Sequence, residues 1–310
     1  MTLSRRTLIG TSLGVAAVAA TEALTATPAG ATPTATPADP APGESLSVRT
    51  VDGLTLSATA YGDPSHPEIL FVHGLGQSGL CWHRQVEHLA SRFRLVTFDM
   101  RGHGASSVPD SPDAYADGAR WAADIRSVRE TAGLHRPTLV GWSFGALAVG
   151  HYLKHYGARD LNGVALTGPV TKLSPDLLQP RGIEVGGKLA SPDLSVRIEG
   201  IQETLDATFA KPLTHSDYRR MLVVNAMSPR ALQLGYGLVG GEGVDEAFGK
   251  PSRLFVTYGA KDAITRPEMS RRVLGLNPRA RLSVYADSGH APFYDASARF
   301  NRELARFASA

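Results

Sequence analysis

The sequence predicts an α/β protein in which helices cover both faces of a mostly parallel sheet. Short apolar stretches typical of buried strands alternate with amphipathic, helix-like stretches along most of the chain, and one long segment interrupts this alternation without a strand of its own. The 310 residues are 43% hydrophobic and 20% charged, as in globular proteins, and are enough for one large domain with an insertion.

Residues 1–31 are predicted to be a twin-arginine signal peptide. Arg5 and Arg6 precede an uncharged run from Leu8 to Ala20, and the small residues at 29–31 suit a cleavage site. The uncharged run of about 13 residues is too short to span a bilayer as a helix, which takes roughly 20. We therefore expect a secreted protein that meets the twin-arginine export machinery and has no stable membrane anchor.

The charge and cysteine content of the chain argue against several kinds of partner and site. The formal charge of +3 is not accompanied by a dense cluster of Lys and Arg, so no nucleic-acid partner is expected. Cys81 is the only cysteine, which excludes an intramolecular disulfide and a multi-thiol metal site. Residues 32–44 are rich in Pro, Ala and Thr and are predicted to be a disordered leader. Stability must therefore come from a packed core.

The predicted core spans residues 45–168 and 251–310. Its first two strands alternate apolar and polar residues and are joined by Asp52-Gly53, a hairpin signal. The predicted strands are Ser45–Val51, Leu54–Ala60, Ile69–His73, Leu95–Asp99, Thr138–Gly141, Val164–Thr167, Arg253–Tyr258 and Arg281–Tyr285. The predicted helices of the core are Trp82–Ala90, Arg120–Thr131, Ala146–Tyr156, Pro267–Leu274 and Ala298–Phe307.

Residues 169–250 are predicted to form a lid over the carboxyl ends of the strands. The stretch between the sixth and seventh predicted strands holds roughly 85 residues without a clear strand, far more than an ordinary connection. Its helix-like pieces are Leu194–Phe209, His215–Met227 and Pro229–Leu238.

Apolar residues of this lid, together with Trp142, are predicted to line the binding site of a small, apolar, ester-type substrate. The candidates in the lid are Phe209, Met221, Val224, Met227, Leu232, Leu234 and Tyr236. Of these, Met221, Met227 and Leu234 are assigned to substrate binding.

Ser143 is the predicted nucleophile. It is the centre of Gly141-Trp142-Ser143-Phe144-Gly145, a G-x-S-x-G motif between a predicted strand and a predicted helix. A strained turn there lifts the hydroxyl above the sheet, and side chains in place of the two glycines would collide with neighbouring backbone. In this context the motif favours a nucleophile over a helix-capping serine.

His290 is predicted to be the general base, and Asp262 the residue that orients it. A serine hydroxyl is a poor nucleophile without a base, and the base in turn needs a group that fixes its tautomer. His290 follows the last predicted strand and Asp262 the one before it, so both are expected at the edge of the sheet where Ser143 lies.

Other titratable residues are weaker candidates for these two roles. His151 and His155 lie on the helix that follows the serine and are expected on the surface, while His215 lies in the lid. Asp287 and Asp245 are the substitutes for the acid if Asp262 only caps a turn.

The backbone N–H groups of Leu75 and Phe144 are the candidate oxyanion hole. The loop that contains Leu75, from Gly74 to Gly79, also matches the G-x-G-x-x-G fingerprint of dinucleotide-binding proteins, with Asp99 about 20 residues later as the ribose-binding acid. That interpretation leaves the predicted serine, histidine and aspartate unexplained, so it remains the lesser alternative.

With these residues identified, the chain from about Leu46 to Phe307 resembles the α/β-hydrolase superfamily, most of all bacterial esterases and non-haem haloperoxidase-type members. The matching segments are His73-Gly74, Asp99–Ser106, Gly141–Gly145, Gly259–Asp262 and Gly289-His290. The resemblance implies an eight-stranded sheet, a lid after the sixth strand, and no metal or organic cofactor. It also implies that Asp99–Ser106 is scaffold, with His103 not catalytic.

The sequence therefore predicts a serine hydrolase that cleaves a carboxylic ester, lactone or thioester through an acyl-enzyme. Hydrolysis of a C–C bond or perhydrolysis by the same three residues is the nearest alternative. A ligand-sensing receptor on this fold and a dinucleotide-binding oxidoreductase are the alternatives from other classes.

Overall fold

The structure, a computed structural model, describes residues 43–310. The predicted signal peptide, and all but the last two residues of the predicted leader, lie outside this range. The strands of the described range are β1 (Glu44–Arg49), β2 (Thr55–Tyr61), β3 (Glu68–Val72), β4 (Arg94–Phe98), β5 (Thr138–Trp142), β6 (Gly163–Thr167), β7 (Leu254–Gly259) and β8 (Arg281–Tyr285).

Helices follow most of these strands. They are α1 (His83–Leu89), α2 (Gly118–Thr131), α3 (Phe144–Tyr156), α4 (Pro180–Ala190), α5 (Leu194–Thr208), α6 (His215–Ala226), α7 (Arg230–Tyr236), α8 (Val244–Phe248), α9 (Pro267–Leu276), α10 (Pro292–Asp295) and α11 (Ser297–Ala308). Each strand and helix that the sequence predicts overlaps one of these elements.

The strands form one sheet in the order β1-β2-β4-β3-β5-β6-β7-β8. β1 and β2 form an antiparallel hairpin, β2 pairs antiparallel with β4, and the remaining neighbours are parallel. The predicted mostly parallel, eight-stranded sheet is therefore confirmed. Because parallel strands end at one edge, the loops after β3, β5, β7 and β8 meet there.

Helices cover both faces of the sheet. On one face α2, α3 and α8 pack around Trp121, Phe144 and Phe248, and on the other α1, α10 and α11 pack around Trp82 and Phe293. Strands β5, β6 and β7 are buried along their whole length, as expected for parallel strands covered on both sides.

A buried arginine joins the β1–β2 turn to α2. The Arg101 guanidinium donates to Asp124 of α2 over 2.6 and 2.7 Å and to Asp52 of the turn over 2.9 Å. Burial by itself lowers the pKa of Arg101, but the two carboxylates outweigh it and raise that pKa. Gly53 completes the turn with φ 87°, a conformation that suits glycine.

Between β6 and β7 the described chain forms one short 3-10 helix, Pro175–Leu177, then the five α-helices α4 to α8, and no strand. The three helices predicted in this segment correspond to α5, α6 and α7, whereas the sequence did not predict α4 and α8. Helix α4 packs on α5 and α7, while α8 packs on α3 of the core. Within residues 43–310, no helix is both long and apolar enough to cross a bilayer.

Candidate active site

Ser143 occupies a strained turn between β5 and α3. Its φ of 53° and ψ of −123° make it the only non-glycine residue with positive φ in the described range. A β-carbon at Gly145 would lie 2.5 Å from the carbonyl oxygens of Val72 and His73, and one at Gly141 would lie 2.9 Å from Ala146 Cα. The turn therefore needs both glycines of the motif, for the steric reason that the sequence suggested.

A chain of two hydrogen bonds joins Ser143, His290 and Asp262. Ser143 Oγ lies 2.8 Å from His290 Nε2, and His290 Nδ1 lies 2.8 Å from Asp262 Oδ2. His290 is 3% exposed and Asp262 8% exposed, so water has little access to either side chain. The structure thus brings together the three residues that the sequence placed at this edge of the sheet.

The Asp262 carboxylate is held by the loop that follows it. Oδ1 accepts from the N–H groups of Ile264 (2.8 Å) and Thr265 (2.9 Å), and Oδ2 accepts from Thr265 Oγ1 (2.7 Å) as well as from His290. Burial alone would raise the pKa of Asp262, but the His290 charge and these hydrogen bonds lower it overall. Sequence reasoning did not identify Thr265, since its role depends on a local turn.

The other candidates for base and acid lie elsewhere. Asp287 is exposed and pairs with Lys261 over 3.0 Å, while Asp245 on α8 pairs with Arg272. His215 is exposed at the start of α6. His151 is buried against α2, where Gly118 makes room for its ring, so the expectation of a surface position was wrong for this residue.

Two buried histidines position the loop that contains Leu75. His73 Nδ1 donates to Gly74 O over 2.7 Å, and this carbonyl belongs to the same peptide group as the Leu75 N–H. His103 Nε2 accepts the Gly76 N–H over 3.0 Å. Because burial lowers the pKa of His73 to about 4 and of His103 to about 3, both rings are neutral at pH 7.

The two candidate oxyanion donors are free to meet a ligand. A β-carbon on Gly74 would lie 3.1 Å from Ser143 Cβ, so the loop runs beside the serine. Within residues 43–310, neither the Leu75 N–H nor the Phe144 N–H donates to another protein group. The sequence did not predict that His73 and His103 would support this loop.

Asp99 has a structural role in the loop that matches the dinucleotide fingerprint. One of its carboxylate oxygens accepts the Gly79 N–H and the other accepts the Ala105 N–H, each over 2.8 Å. The Asp99 carboxylate therefore joins the loop after β3, which contains Gly79, to the loop after β4, which contains Ala105. The geometry therefore favours scaffold over ribose recognition.

A cavity of about 110 Å³ opens at Ser143. Its apolar wall comes from the loop after β3, the turn around Ser143, the loop after β6, α4 and the loop after β7. The residues of this wall are Leu75, Trp142, Phe144, Val170, Leu173, Leu178, Val185, Leu189 and Ile264. The polar residues beside Ser143 and His290 are Gln77, Thr204, Thr208, Asn225 and Tyr236.

The predicted substrate-binding residues are only partly in this wall. Trp142 lines the cavity and donates from Nε1 to His290 O over 3.0 Å. Met221 is buried in the core cluster that contains Trp82, Met227 is 54% exposed, and Leu234 does not reach the cavity. The assignment of these three to substrate binding is therefore corrected, because α6 and α7 turn other side chains toward Ser143.

The fold and this arrangement define a class of protein: an α/β protein that holds a serine, a histidine and an acid at the carboxyl edge of a mostly parallel sheet. Residues 67–297 match the family model described as the alpha/beta hydrolase fold. The chain belongs to this family of enzymes, which confirms the resemblance seen in the sequence.

Two relatives span most of this chain. A Burkholderia cenocepacia protein provisionally named an aryl esterase is 34% identical, with a TM-score of 0.81 over 85% of this chain and 97% of that one. The pimeloyl-[acyl-carrier protein] methyl ester esterase of Chromobacterium violaceum is 27% identical over 265 residues, 77% of this chain and 93% of that one.

Another curated relative is matched over a short stretch. The "Probable oxidoreductase EphD" of Mycobacterium tuberculosis is 36% identical over 110 residues, which is 35% of this chain. This chain covers only 18% of that protein's length.

Proposed function

We propose that the protein is a serine hydrolase that cleaves a carboxylic ester, lactone or thioester through an acyl-enzyme. The observation that carries this proposal is the pair of 2.8 Å hydrogen bonds from Ser143 through His290 to Asp262, beside two free backbone N–H groups. The names of the Burkholderia and Chromobacterium relatives, both esterases, support the same reaction class.

The proposed reaction starts with attack of Ser143 Oγ on the scissile carbonyl carbon, while His290 Nε2 takes the hydroxyl proton. Asp262 stabilises the imidazolium that forms. The N–H groups of Leu75 and Phe144 stabilise the tetrahedral oxyanion. His290 then gives its proton to the departing alcohol or thiol, which leaves an ester of Ser143. Water, activated by His290 in the same way, releases the acid and restores the serine.

Replacement of Ser143 tests the proposal. Methyl and p-nitrophenyl esters of graded acyl length are assayed with the wild type, Ser143→Ala, and Ser228→Ala as a serine of the insertion that does not line the cavity. We expect ester hydrolysis by the wild type and Ser228→Ala, and a loss of about 10⁴-fold or more in kcat for Ser143→Ala. Covalent labelling by a fluorophosphonate, detected as a mass increase of the intact protein, should also require Ser143.

A matched pair of acids tests the role of Asp262. We expect Asp262→Asn to lower kcat by roughly 10³–10⁴-fold with the fold intact, because the imidazole loses its orienting charge. Asp287→Asn removes an exposed carboxylate from the neighbouring loop after β8, where it pairs with Lys261, and should change kcat little. Ester hydrolysis that survives Ser143→Ala would refute the proposed mechanism.

A further inference from the structure

Three polar side chains in the cavity have no hydrogen-bond partner in residues 43–310. Asn225 of α6 is 3% exposed, and its Oδ1 is buried without a partner. Tyr236 and Gln77 also line the cavity, and no hydrogen bond of their side chains is found within residues 43–310. Gln77 additionally lines a smaller cavity beside Met221 and Val224. Nearby hydroxyls are satisfied, since Thr204 donates to Gly200 O over 2.6 Å and Thr208 to Thr204 O over 2.7 Å.

Buried polar groups without partners cost free energy, so proteins retain them where something else binds them. An amide offers both a donor and an acceptor, and a phenol offers a donor as long as it keeps its proton. Burial raises the pKa of Tyr236, which keeps its hydroxyl protonated at neutral pH. The cavity therefore presents at least two donors and two acceptors to whatever occupies it.

Asn225 and Gln77 lie on the side of the cavity where the oxyanion donors are. A β-carbon on Gly76 would lie 2.8 Å from Asn225 Nδ2, so the amide rests on the loop that carries the Leu75 N–H. Gln77 follows in the same loop. The Tyr236 ring meets the Phe144 ring edge to face, with centroids 5.6 Å apart. The Tyr236 hydroxyl lies toward α4, 3.8 Å from the position that a β-carbon on Gly186 would take. A group bound by Asn225 and Gln77 is thus close to the carbonyl attacked by Ser143, while Tyr236 meets the substrate nearer α4.

We propose that Asn225, Tyr236 and Gln77 form a polar subsite that selects esters with a neutral hydrogen-bonding group, such as a hydroxyl, keto or amide oxygen, near the scissile carbonyl. The inference rests on the proposed ester hydrolysis. The selected group is neutral because no Asp, Glu, Lys or Arg lines the cavity, so a charged group would lose its hydration without gaining a counter-charge. The sequence alone predicted a small, apolar, ester-type substrate, and the proposed subsite adds a neutral hydrogen-bonding group to it.

Three methyl esters of equal chain length test the subsite: methyl butyrate, methyl 3-hydroxybutyrate and the methyl monoester of succinic acid. We expect wild-type kcat/KM for the hydroxy ester to exceed that for the butyrate by at least about tenfold, because a site built for a hydroxyl disfavours the analogue that lacks it. The charged succinate monoester should be the poorest substrate of the three.

Single substitutions in the cavity test which side chains cause the preference for the hydroxy ester over the butyrate. Asn225→Leu and Tyr236→Phe each remove hydrogen-bonding groups with little change in volume, and each should reduce the hydroxy-to-butyrate ratio several-fold. Ser228→Ala removes a buried hydroxyl that has no partner in residues 43–310 but lies outside the cavity, and it should leave the ratio unchanged. Asn225→Leu should also keep or raise the melting temperature, since it removes an unsatisfied buried amide. A residue with a merely structural role would instead lower it.

The outcomes separate the two proposals. If the wild type hydrolyses all three esters equally well, or if the ratio is unaffected in Asn225→Leu and Tyr236→Phe, the subsite proposal is wrong while ester hydrolysis stands. If no ester of this set or of the graded panel is hydrolysed, the proposed function itself fails.

Discussion

Ser143 has a backbone conformation that residues other than glycine rarely adopt, with φ 53° and ψ −123°. Conformations of this kind cost about 1–3 kcal/mol at a non-glycine residue and persist where the surrounding structure enforces them. Here β5 fixes one side of the turn and α3 the other, while Gly141 and Gly145 let the backbones approach. The strain places the hydroxyl above the sheet, 2.8 Å from His290 Nε2.

Two variants that both lack the Ser143 hydroxyl measure this strain. Ser143→Gly should be more stable than Ser143→Ala by about 1–2 kcal/mol, because glycine adopts the conformation without a steric penalty. Denaturant unfolding of both proteins gives the difference. Since neither variant has the hydroxyl, lost hydrogen bonds cancel in the comparison. Equal stability, or a more stable alanine variant, would mean that the turn stores no strain.

At the scale of single elements, α4 supplies much of the cavity wall although three of its eleven residues are glycine. Glycine is a poor helix former, so the helix depends on its packing against α5 and α7. Gly182 allows a close approach, because a β-carbon there would overlap the carbonyl oxygen of Ile264. At Gly187, by contrast, no atom lies within 4 Å of the position that a β-carbon would take.

Alanine in place of Gly182 and of Gly187 should change the free energy of unfolding in opposite directions. We expect Gly182→Ala to lower the free energy of unfolding by about 1–3 kcal/mol, because the methyl group collides with backbone. Gly187→Ala should raise it by about 0.5–1 kcal/mol, because alanine is the better helix former on an exposed face. Thermal or urea unfolding distinguishes the two. If both variants were destabilised, the free space around each glycine would not be what decides the effect of the added methyl group.

The glycines of α4 also explain why this helix escaped prediction. The strands and the core helices carry their signal in local periodicity, which survives without knowledge of the fold. The residues Pro180 to Ala190 have a weak local preference for a helix, and tertiary packing decides their conformation. The five residues of α8 were missed for a similar reason, since so short a helix offers little more than one turn of pattern.

The order of strands and loops in the sequence predicted correctly which three residues meet at the sheet edge. It did not predict which residues of the lid line the cavity. Ser143, Asp262 and His290 each follow a strand directly, so the sheet alone brings them together. Whether a lid residue faces the serine depends on how its helix docks. Thus Tyr236 of α7 lines the cavity, whereas Met221 of α6 packs into the core.

At the scale of the whole molecule, buried neutral histidines make folding sensitive to acid. Burial lowers the pKa of His73 to about 4 and of His103 to about 3, against about 6.5 in an unfolded chain. Between pH 6.5 and these values the unfolded state binds more protons than the folded state. Burial also lowers the pKa of His83 and His151, which adds to the effect.

The free energy of unfolding should therefore fall as pH decreases from about 6.5 toward 4, by up to about 1.4 kcal/mol per pH unit for each fully buried histidine. Urea titrations at pH 7.5, 6.5, 5.5 and 4.5 measure this slope. The carboxylate of Asp262, whose lowered pKa lies below the usual 3.8, contributes only in stronger acid. Stability that is unchanged from pH 7.5 to 4.5 would rule out neutral, buried histidines.

For the N-terminal segment, outside the described residues, we propose export by the twin-arginine route. Replacement of Arg5 and Arg6 together by lysine should leave unprocessed protein in the cytoplasm, because the export machinery reads the arginine pair. Cell fractionation and intact-mass measurement check this, and the mature chain should begin near Thr32. Arg49→Lys, on exposed β1, is the control. Normal secretion of the double variant would indicate another route.

Helix α8 affects how the segment between β6 and β7 can change during evolution. β6 ends at the edge where Ser143 lies and β7 starts at the opposite edge, so the returning chain must cross the sheet. Val244 and Phe248 make that crossing as part of the core, packed against Gly150 of α3. The segment between β6 and α8 therefore leaves and rejoins the core at fixed points, yet it also supports the reaction centre, because Thr208 O accepts the His290 N–H over 2.8 Å and the Gln179 N–H donates to Ile264 O over 2.9 Å. We expect that any exchange of this segment that keeps the reaction must preserve these two backbone hydrogen bonds.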